Sequence, residues 1–343
     1  MNNLFLTGQI GIGKSTLLKK IIEKINLSIG GYITEKAIKD SIKIFTVRSL
    51  YDSVEKHTIA KINTKDASKK VFVNSFNSIA TSILHMSLKY RDLIVLDELG
   101  FMENDINSFT SKVYELLDSN KVVFGVLKDH DCEFLNNIKA RDDVIVVEVT
   151  EENRDSILDE ILDIMKSFNI PLKKENSFYW NERRINWYNK ALEHPHCSYP
   201  YVFINEIKKH TGNLKNKTIL DIGAGTGAFA IPIMEEGAYV TAIDSSFNMI
   251  NSLINRANLH KLKNIKCIIG PFHRTSPVKH DISISAFSGG CTKTPESIKN
   301  MLNLVNEYSF IISSFENQDN NFKTNILYEM LDRPAHTRRT HKN

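Results

Sequence analysis

The chain has 343 residues, 42% of them apolar and 24% charged, with a net charge of +4. These are the proportions of a globular protein long enough for two cores, and so small a charge, spread along the chain, makes no case for nucleic acid or a membrane surface as a partner. Cys132, Cys197, Cys267 and Cys291 lie far apart with no C-x-x-C pair, no basic segment opens the chain, and no apolar run nears the ~18 residues of a membrane span, so a reducing cytoplasm is expected.

Residues 4–7 read as a short buried strand, followed by a helix at 14–25 with Leu17, Leu18, Ile21, Ile22 and Ile25 on one face. Residues 31–34 and 42–47 read as strands. Residues 93–96, 122–127 and 144–149 are continuous apolar runs of the kind found in a parallel sheet buried on both faces. Thr150 is expected to cap a helix that has Glu151 and Glu152 at its positive end and buries Ile157, Leu158, Ile161, Leu162 and Met165. Residues 169–177, with Pro171 and several charges, read as a linker. Residues 178–210 read as helical and carry Trp180 and Trp187. Strands are then expected at 218–221, 239–244, 265–269, 282–286 and 309–313, and a helix at 322–331 before a frayed basic end at 333–342. The alternation gives an α/β protein of two domains, 1–168 and 178–343, each with a mostly parallel sheet.

The first candidate site is Gly8-Gln9-Ile10-Gly11-Ile12-Gly13-Lys14-Ser15, followed by Thr16. It satisfies G-x-x-x-x-G-K-[ST] and lies between a strand and a helix, as the mechanism of a P-loop requires. Glycines let backbone N–H groups turn inward onto phosphates at the positive end of a helix. Lys14 is expected on the β- and γ-phosphates and the Ser15 hydroxyl on Mg²⁺. The run at 93–96 delivers Asp97 and Glu98 to the edge of the sheet. Asp97 is expected to hold Mg²⁺ through water, and Glu98 to orient or deprotonate the attacking water.

With these motifs the first 168 residues resemble the small P-loop nucleoside-triphosphatases first described in thermophilic bacteria. The likeness rests on residues 8–16, on Gly31-Tyr-Ile-Thr-Glu35, on Leu96-Asp-Glu-Leu-Gly-Phe-Met-Glu103 and on Thr150-Glu-Glu-Asn-Arg-Asp155. It implies a RecA-like sheet and slow hydrolysis of several nucleoside triphosphates with broad base choice. It also implies that Asn153 and Arg154 lie near the nucleotide, against a plainer role in helix capping and surface charge. The family usually has a basic residue before Met-Glu, where this chain has Phe101.

A second glycine loop, Asp221-Ile222-Gly223-Ala224-Gly225-Thr226-Gly227-Ala228, again joins a strand to a helix, and Asp244 ends the next strand. Gly223-x-Gly225-x-x-Ala228 also fits a dinucleotide fingerprint. Asp221 argues against NAD, because a carboxylate two residues before the first glycine repels a pyrophosphate but attracts the ammonium and sulfonium of S-adenosylmethionine. The run resembles the first motif of class I methyltransferases, with Asp244 in the place of the ribose-binding acid. That implies a Rossmann-like sheet, S-adenosylmethionine as cofactor, and a methyl acceptor the sequence does not name. The likeness spans residues 178–315. Two departures stand out: Ile269-Gly-Pro-Phe272 offers no acid for the adenine, and no strands for a closing C-terminal hairpin are legible, as though the domain were truncated.

Other features read as structural. His194-Pro-His196-Cys197 lacks a fourth metal ligand nearby, and Cys291 reads as a buried small residue. Two further functions compete with a fused triphosphatase and methyltransferase. A small-molecule kinase needs an arginine-rich lid, and only Arg141 and Arg154 are on offer. A non-catalytic adenosylmethionine-sensing domain that tunes the triphosphatase fits the two departures.

Overall fold

The computed structural model describes residues 3–52, 54–174, 180–194, 197–275, 277–288, 290–292 and 294–313. The expected helix at 322–331, the basic end at 333–342 and the question of a closing hairpin lie outside the described residues. Residue contacts divide the chain into two units. One comprises Met1–Phe178, Ile243–Phe247 and Lys266–Ser276, the other Tyr179–Ala242, Asn248–Ile265 and Pro277–Asn343.

The chain begins with β1 (Asn3–Thr7), α1 (Lys14–Lys24), β2 (Ile29–Lys39), β3 (Ile42–Ser49), β4 (Lys56–Asn63) and β5 (Lys69–Val71). Next come α2 (Val73–Ser78), a π-helical turn (Ile79–Leu84), α3 (His85–Tyr90), β6 (Leu93–Leu99), α4 (Asn107–Leu117), β7 (Val122–Leu127), α5 (Glu133–Lys139), β8 (Val144–Glu148) and α6 (Ile157–Ser167). The core sheet has the order β2-β6-β7-β1-β8 and its neighbouring pairs are parallel. β7 thus stands between the P-loop strand and the strand carrying Asp97 and Glu98, the order expected of a RecA-like sheet. β3, β4 and β5 extend β2 as an antiparallel meander. Phe5, Leu96, Phe109, Phe76 and Leu135 lie in the core beneath the sheet.

Several boundaries differ from expectation for legible reasons. β2 runs well past residue 34 because its second half pairs with β3, and β4 and β5 are too lysine-rich to read as strands. β8 is only half-buried along its length because it ends the order of the described strands. Thr150 does not cap α6, which begins at Ile157. Asn153 instead accepts from the Thr150 N–H at 2.8 Å and donates to the Glu148 carbonyl at 2.9 Å, closing a turn before the helix. The expected linker starts as a helix end. Asn169 has φ +58, Ile170 N–H bonds back to the Met165 carbonyl, and Leu172 pairs with Ile25.

The later elements are α7 (Glu182–Leu192), α8 (Tyr199–Thr211), β9 (Thr218–Ile222), α9 (Ala230–Glu235), β10 (Tyr239–Asp244), α10 (Phe247–Leu259), β11 (Ile265–Ile269), β12 (His280–Ala286), α11 (Pro295–Asn303) and β13 (Val305–Ile312). Among the described residues the stretch expected to be helical, 178–210, holds two helices, with Asn181 capping α7 through a bond from Arg184 N–H and Pro200 in the first turn of α8, where its missing N–H costs nothing. The strand order is β13-β12-β9-β10-β11, which in chain order within this half is 5-4-1-2-3. β12 is parallel to both β9 and β13. This is the doubly wound, Rossmann-like pattern, with its switch point between the first and fourth strands. No helix of the described residues is long and apolar enough to cross a membrane.

Candidate active site

The carboxyl ends of β1, β6 and β7 carry the first site. After β1 the loop turns through Gly8, Gly11 and Gly13, with φ of +131, +86 and +110. A Cβ on Gly8 would stand 2.3 Å from the Val149 carbonyl oxygen, so only glycine fits at that crossing. Gln9, Ile10 and Thr16 are exposed, and Ile12 is buried. Lys14 is 8% exposed, and its ammonium donates to the carbonyls of Gly8 at 2.6 Å and Gln9 at 2.8 Å. The side chain therefore bends back over its own loop. Burial lowers its pKa, against the raising fields of Glu98 and Asp129.

Asp97 is fully buried. Its Oδ1 accepts from Ser15 Oγ at 3.0 Å and its Oδ2 from Thr34 N–H at 3.1 Å, while its backbone carbonyl accepts from Thr34 Oγ1 at 2.6 Å. Burial raises its pKa, opposed by the Thr34 and Ser15 bonds. The P-loop hydroxyl and the strand-end carboxylate are thus already paired, with no glutamate between them. Glu98 follows with φ +72, in the left-handed region that costs a non-glycine residue about 1–2 kcal/mol. Such outliers persist where the surroundings impose them, often at functional sites. The bend takes the chain out of the ladder, which slips between Leu96 and Leu99.

Lys128 belongs to no motif legible in the sequence. It directly follows β7, and its Nζ lies 3.9 Å from Glu98 Oε1. Glu103, from the Met-Glu of the motif, is 2% exposed; its Oε2 accepts from Gly100 N–H at 3.0 Å. Burial raises its pKa, partly offset by Lys128. Tyr32 lies buried within the field of Glu103, Asp97 and Glu98, and its pKa is raised by burial and by those charges. The available signal was positional: a charged residue directly after a buried parallel strand sits on the same edge as a P-loop.

Asn153 serves the turn after β8, and Arg154 is exposed, with its Nε 4.0 Å from Asp155. The turn adjoins the P-loop through Val149, whose N–H bonds to the Thr7 carbonyl. Asn153 thus closes the turn before α6 rather than capping the helix, whose N-cap position is Ser156.

In the second unit Asp221 is 2% exposed near the end of β9, and Ala224 is buried. Gly225 has φ +57 and nothing within 4 Å of a Cβ position, so the backbone there is open to a ligand. A Cβ on Gly227 would meet Leu253 at 2.2 Å, and one on Gly223 would meet Ser288 at 2.3 Å. Arg256 donates to the Thr226 carbonyl at 2.7 Å and so fixes the loop. Cys291 is half-exposed rather than buried, with Sγ 3.5 Å from the Gly223 Cβ position. Asp244 falls in the first unit, where Oδ1 accepts from Ser246 N–H at 2.8 Å. Phe272, in the stretch without an adenine acid, is 6% exposed.

A glycine loop feeding a helix, a strand-end Asp-Glu pair and one strand between them mark an α/β protein of the P-loop nucleotide-binding class. A family model described as NTPase matches residues 3–162, and one described as a methyltransferase domain matches residues 213–336. Nucleoside-triphosphatase THEP1 of Thermotoga sp. (strain RQ2) is 33% identical over 168 residues, 48% of this chain and 95% of the relative. The same-named protein of Thermotoga petrophila is 34% identical over 167 residues, 48% of this chain and 92% of its own. The crystal structure of THEP1 from Aquifex aeolicus is 27% identical and covers 48% of this chain and 99% of that one, with a TM-score of 0.40. Through its first half the chain belongs to this nucleoside-triphosphatase family, and a methyltransferase domain follows in its second.

Proposed function

We propose that the chain hydrolyses nucleoside triphosphates to diphosphate and phosphate with Mg²⁺ and with broad base choice, and that its second half binds S-adenosylmethionine for transfer to an unidentified acceptor. The observation that carries the first part is the 3.0 Å pairing of Ser15 Oγ with Asp97 Oδ1 beside the glycine loop. The donor set suits Mg²⁺, which takes one or two protein oxygens and completes its shell with water and phosphate. Among the described residues no group of three or more His, Cys, Asp or Glu competes as a metal site. Ser15 and Asp97 would hold the ion, which supplies charge neutralisation on the phosphate oxygens.

Loop N–H groups from Gly8 to Thr16 cradle the phosphates. Lys14 exchanges its loop carbonyls for the β- and γ-phosphate oxygens. Glu98 accepts the proton of the attacking water. Asn153 holds the neighbouring turn in place, and Arg154 reaches the nucleotide from it. In the second half Asp221 faces the cationic methionyl part, Gly223, Ala224, Gly225 and Gly227 form the loop beneath it, and Asp244 accepts from the ribose hydroxyls. We place the boundary between the halves within residues 169–177. Phosphate release from Mg²⁺-ATP without an acceptor, measured beside Lys14→Ala, tests the first part. Release that survives Lys14→Ala unchanged would refute it.

A further inference from the structure

We propose that Lys128 is a positioning residue of the triphosphatase centre: its ammonium fixes the Glu98 carboxylate, and with it the attacking water, against the terminal phosphate. The inference rests on the triphosphatase reading above. Four observations carry it. β7 lies between the P-loop strand and the Asp97–Glu98 strand, so the residue that leaves it emerges between the two halves of the site. The Lys128 N–H bonds to the Leu99 carbonyl at 2.8 Å, which anchors its backbone to the segment carrying Glu98.

Its stem is also held. A Cβ at Gly100 would stand 2.7 Å from Lys128 Cδ, so the methylenes lie on a glycine that leaves room for them. The ammonium is 5.7 Å from the centre of the Phe101 ring, whose other neighbours are Lys69 Nζ at 3.9 Å and the His130 ring at 4.8 Å. Finally, Nζ reaches Glu98 Oε1 at 3.9 Å from a side chain only 18% exposed. Glu98 is 28% exposed, so both partners are partly shielded and the pair is screened less than a surface pair. Glu98 needs such a hold, because its backbone sits at φ +72 on a ladder slip and no regular strand geometry sets its side chain.

A plainer role for Lys128 is counter-ion to the buried Glu103. The two roles predict different kinetics. In the full-length chain, steady-state phosphate release from Mg²⁺-ATP should show Lys128→Met lowering kcat about a hundredfold, the scale of losing one preorganised charged group. KM and the calorimetric affinity for a non-hydrolysable Mg²⁺-ATP analogue should move less than about threefold. Lys128→Arg should recover most of the rate. Because the lysine acts through Glu98, the double variant Lys128→Met with Glu98→Gln should be no slower than Glu98→Gln alone. Multiplying losses in the double variant, or a loss of affinity matching the loss of kcat, would overturn the proposal, as would a normal kcat in Lys128→Met. If Lys128→Met melts below the assay temperature, Phe101→Leu takes its place: a severalfold lower kcat at unchanged KM is expected, and an unchanged kcat overturns the proposal. A wild-type chain that releases no phosphate from any nucleoside triphosphate sinks the triphosphatase reading itself. An active wild type, with Lys14→Ala inactive and Lys128→Met normal, sinks only this inference.

Discussion

On the proposed reading Glu98 is the residue on which the chemistry turns. A regular strand would set it on one face of the sheet, but at φ +72 the backbone leaves strand geometry, and its carboxylate lies 3.9 Å from Lys128 Nζ. Glu98→Gln should keep nucleotide affinity and lower turnover by ~10²–10⁴, since an amide holds water but takes no proton. Normal turnover in that variant would make Glu98 structural. Glu103 offers a second test. Its folded pKa is raised by burial, whereas the unfolded chain releases that proton near ~4.3. As pH rises from there through the raised folded value, the unfolded state gives up its proton first, so stability falls. Glu103→Gln has no proton to lose, and in Mg²⁺-free buffer it should flatten that part of the Tm-against-pH curve. A wild-type slope in the variant would assign the effect elsewhere. The P-loop was legible because its motif fixes residue types and spacing within eight positions. Lys128 was not, because its partner lies on another strand and only the strand order brings them together.

At the scale of elements, one contact decides where β2 can lie. Gly31 has φ +82, and a Cβ there would stand 2.0 Å from the Val95 carbonyl oxygen, so β2 presses against β6 as only glycine allows. The Gly31 N–H donates to Ser87 Oγ at 2.8 Å, and Ser87 Oγ donates in turn to the Ile83 carbonyl at 2.6 Å. Ser87 is itself fully buried. Ser87→Ala leaves the Gly31 donor unsatisfied and should cost ~1–3 kcal/mol, read as a lower denaturant midpoint at unchanged slope. A midpoint within error of the wild type would mean that water or a backbone shift replaces the hydroxyl. The apolar runs of β6 and β7 were read as strands correctly because burial on both faces leaves few polar residues, whereas β8 keeps an apolar run although it is only half-buried. β4 and β5 were missed because Lys56, Lys61, Lys69 and Lys70 interrupt their short apolar stretches, and the interruption between α7 and α8 because both flanks share helical periodicity.

For the whole molecule, two phosphate- or cofactor-type glycine loops follow strands from stretches of different strand order, and their chemistry should separate. Asp244→Ala in the full-length chain should weaken S-adenosylmethionine and S-adenosylhomocysteine alike, by roughly ten- to a hundredfold, as loss of a charge-assisted bond of ~1.5–3 kcal/mol implies. Asp221→Asn should hurt S-adenosylmethionine more, because only that ligand carries the sulfonium charge. Calorimetric titration with both ligands and NAD checks this, and tight NAD binding without an adenosylmethionine signal would reverse the assignment. The cofactor reading rests on the charge of Asp221; the acceptor is not legible, because nothing in the spacing of the second half names it. The most direct test of the account is phosphate release by the full-length chain given Mg²⁺-ATP and no acceptor. The account predicts equimolar diphosphate and phosphate, lost on chelating Mg²⁺ and lost in Lys14→Ala. Phosphate that appears only when a small-molecule acceptor is added, as a phosphorylated product, would contradict it and make the first half a kinase.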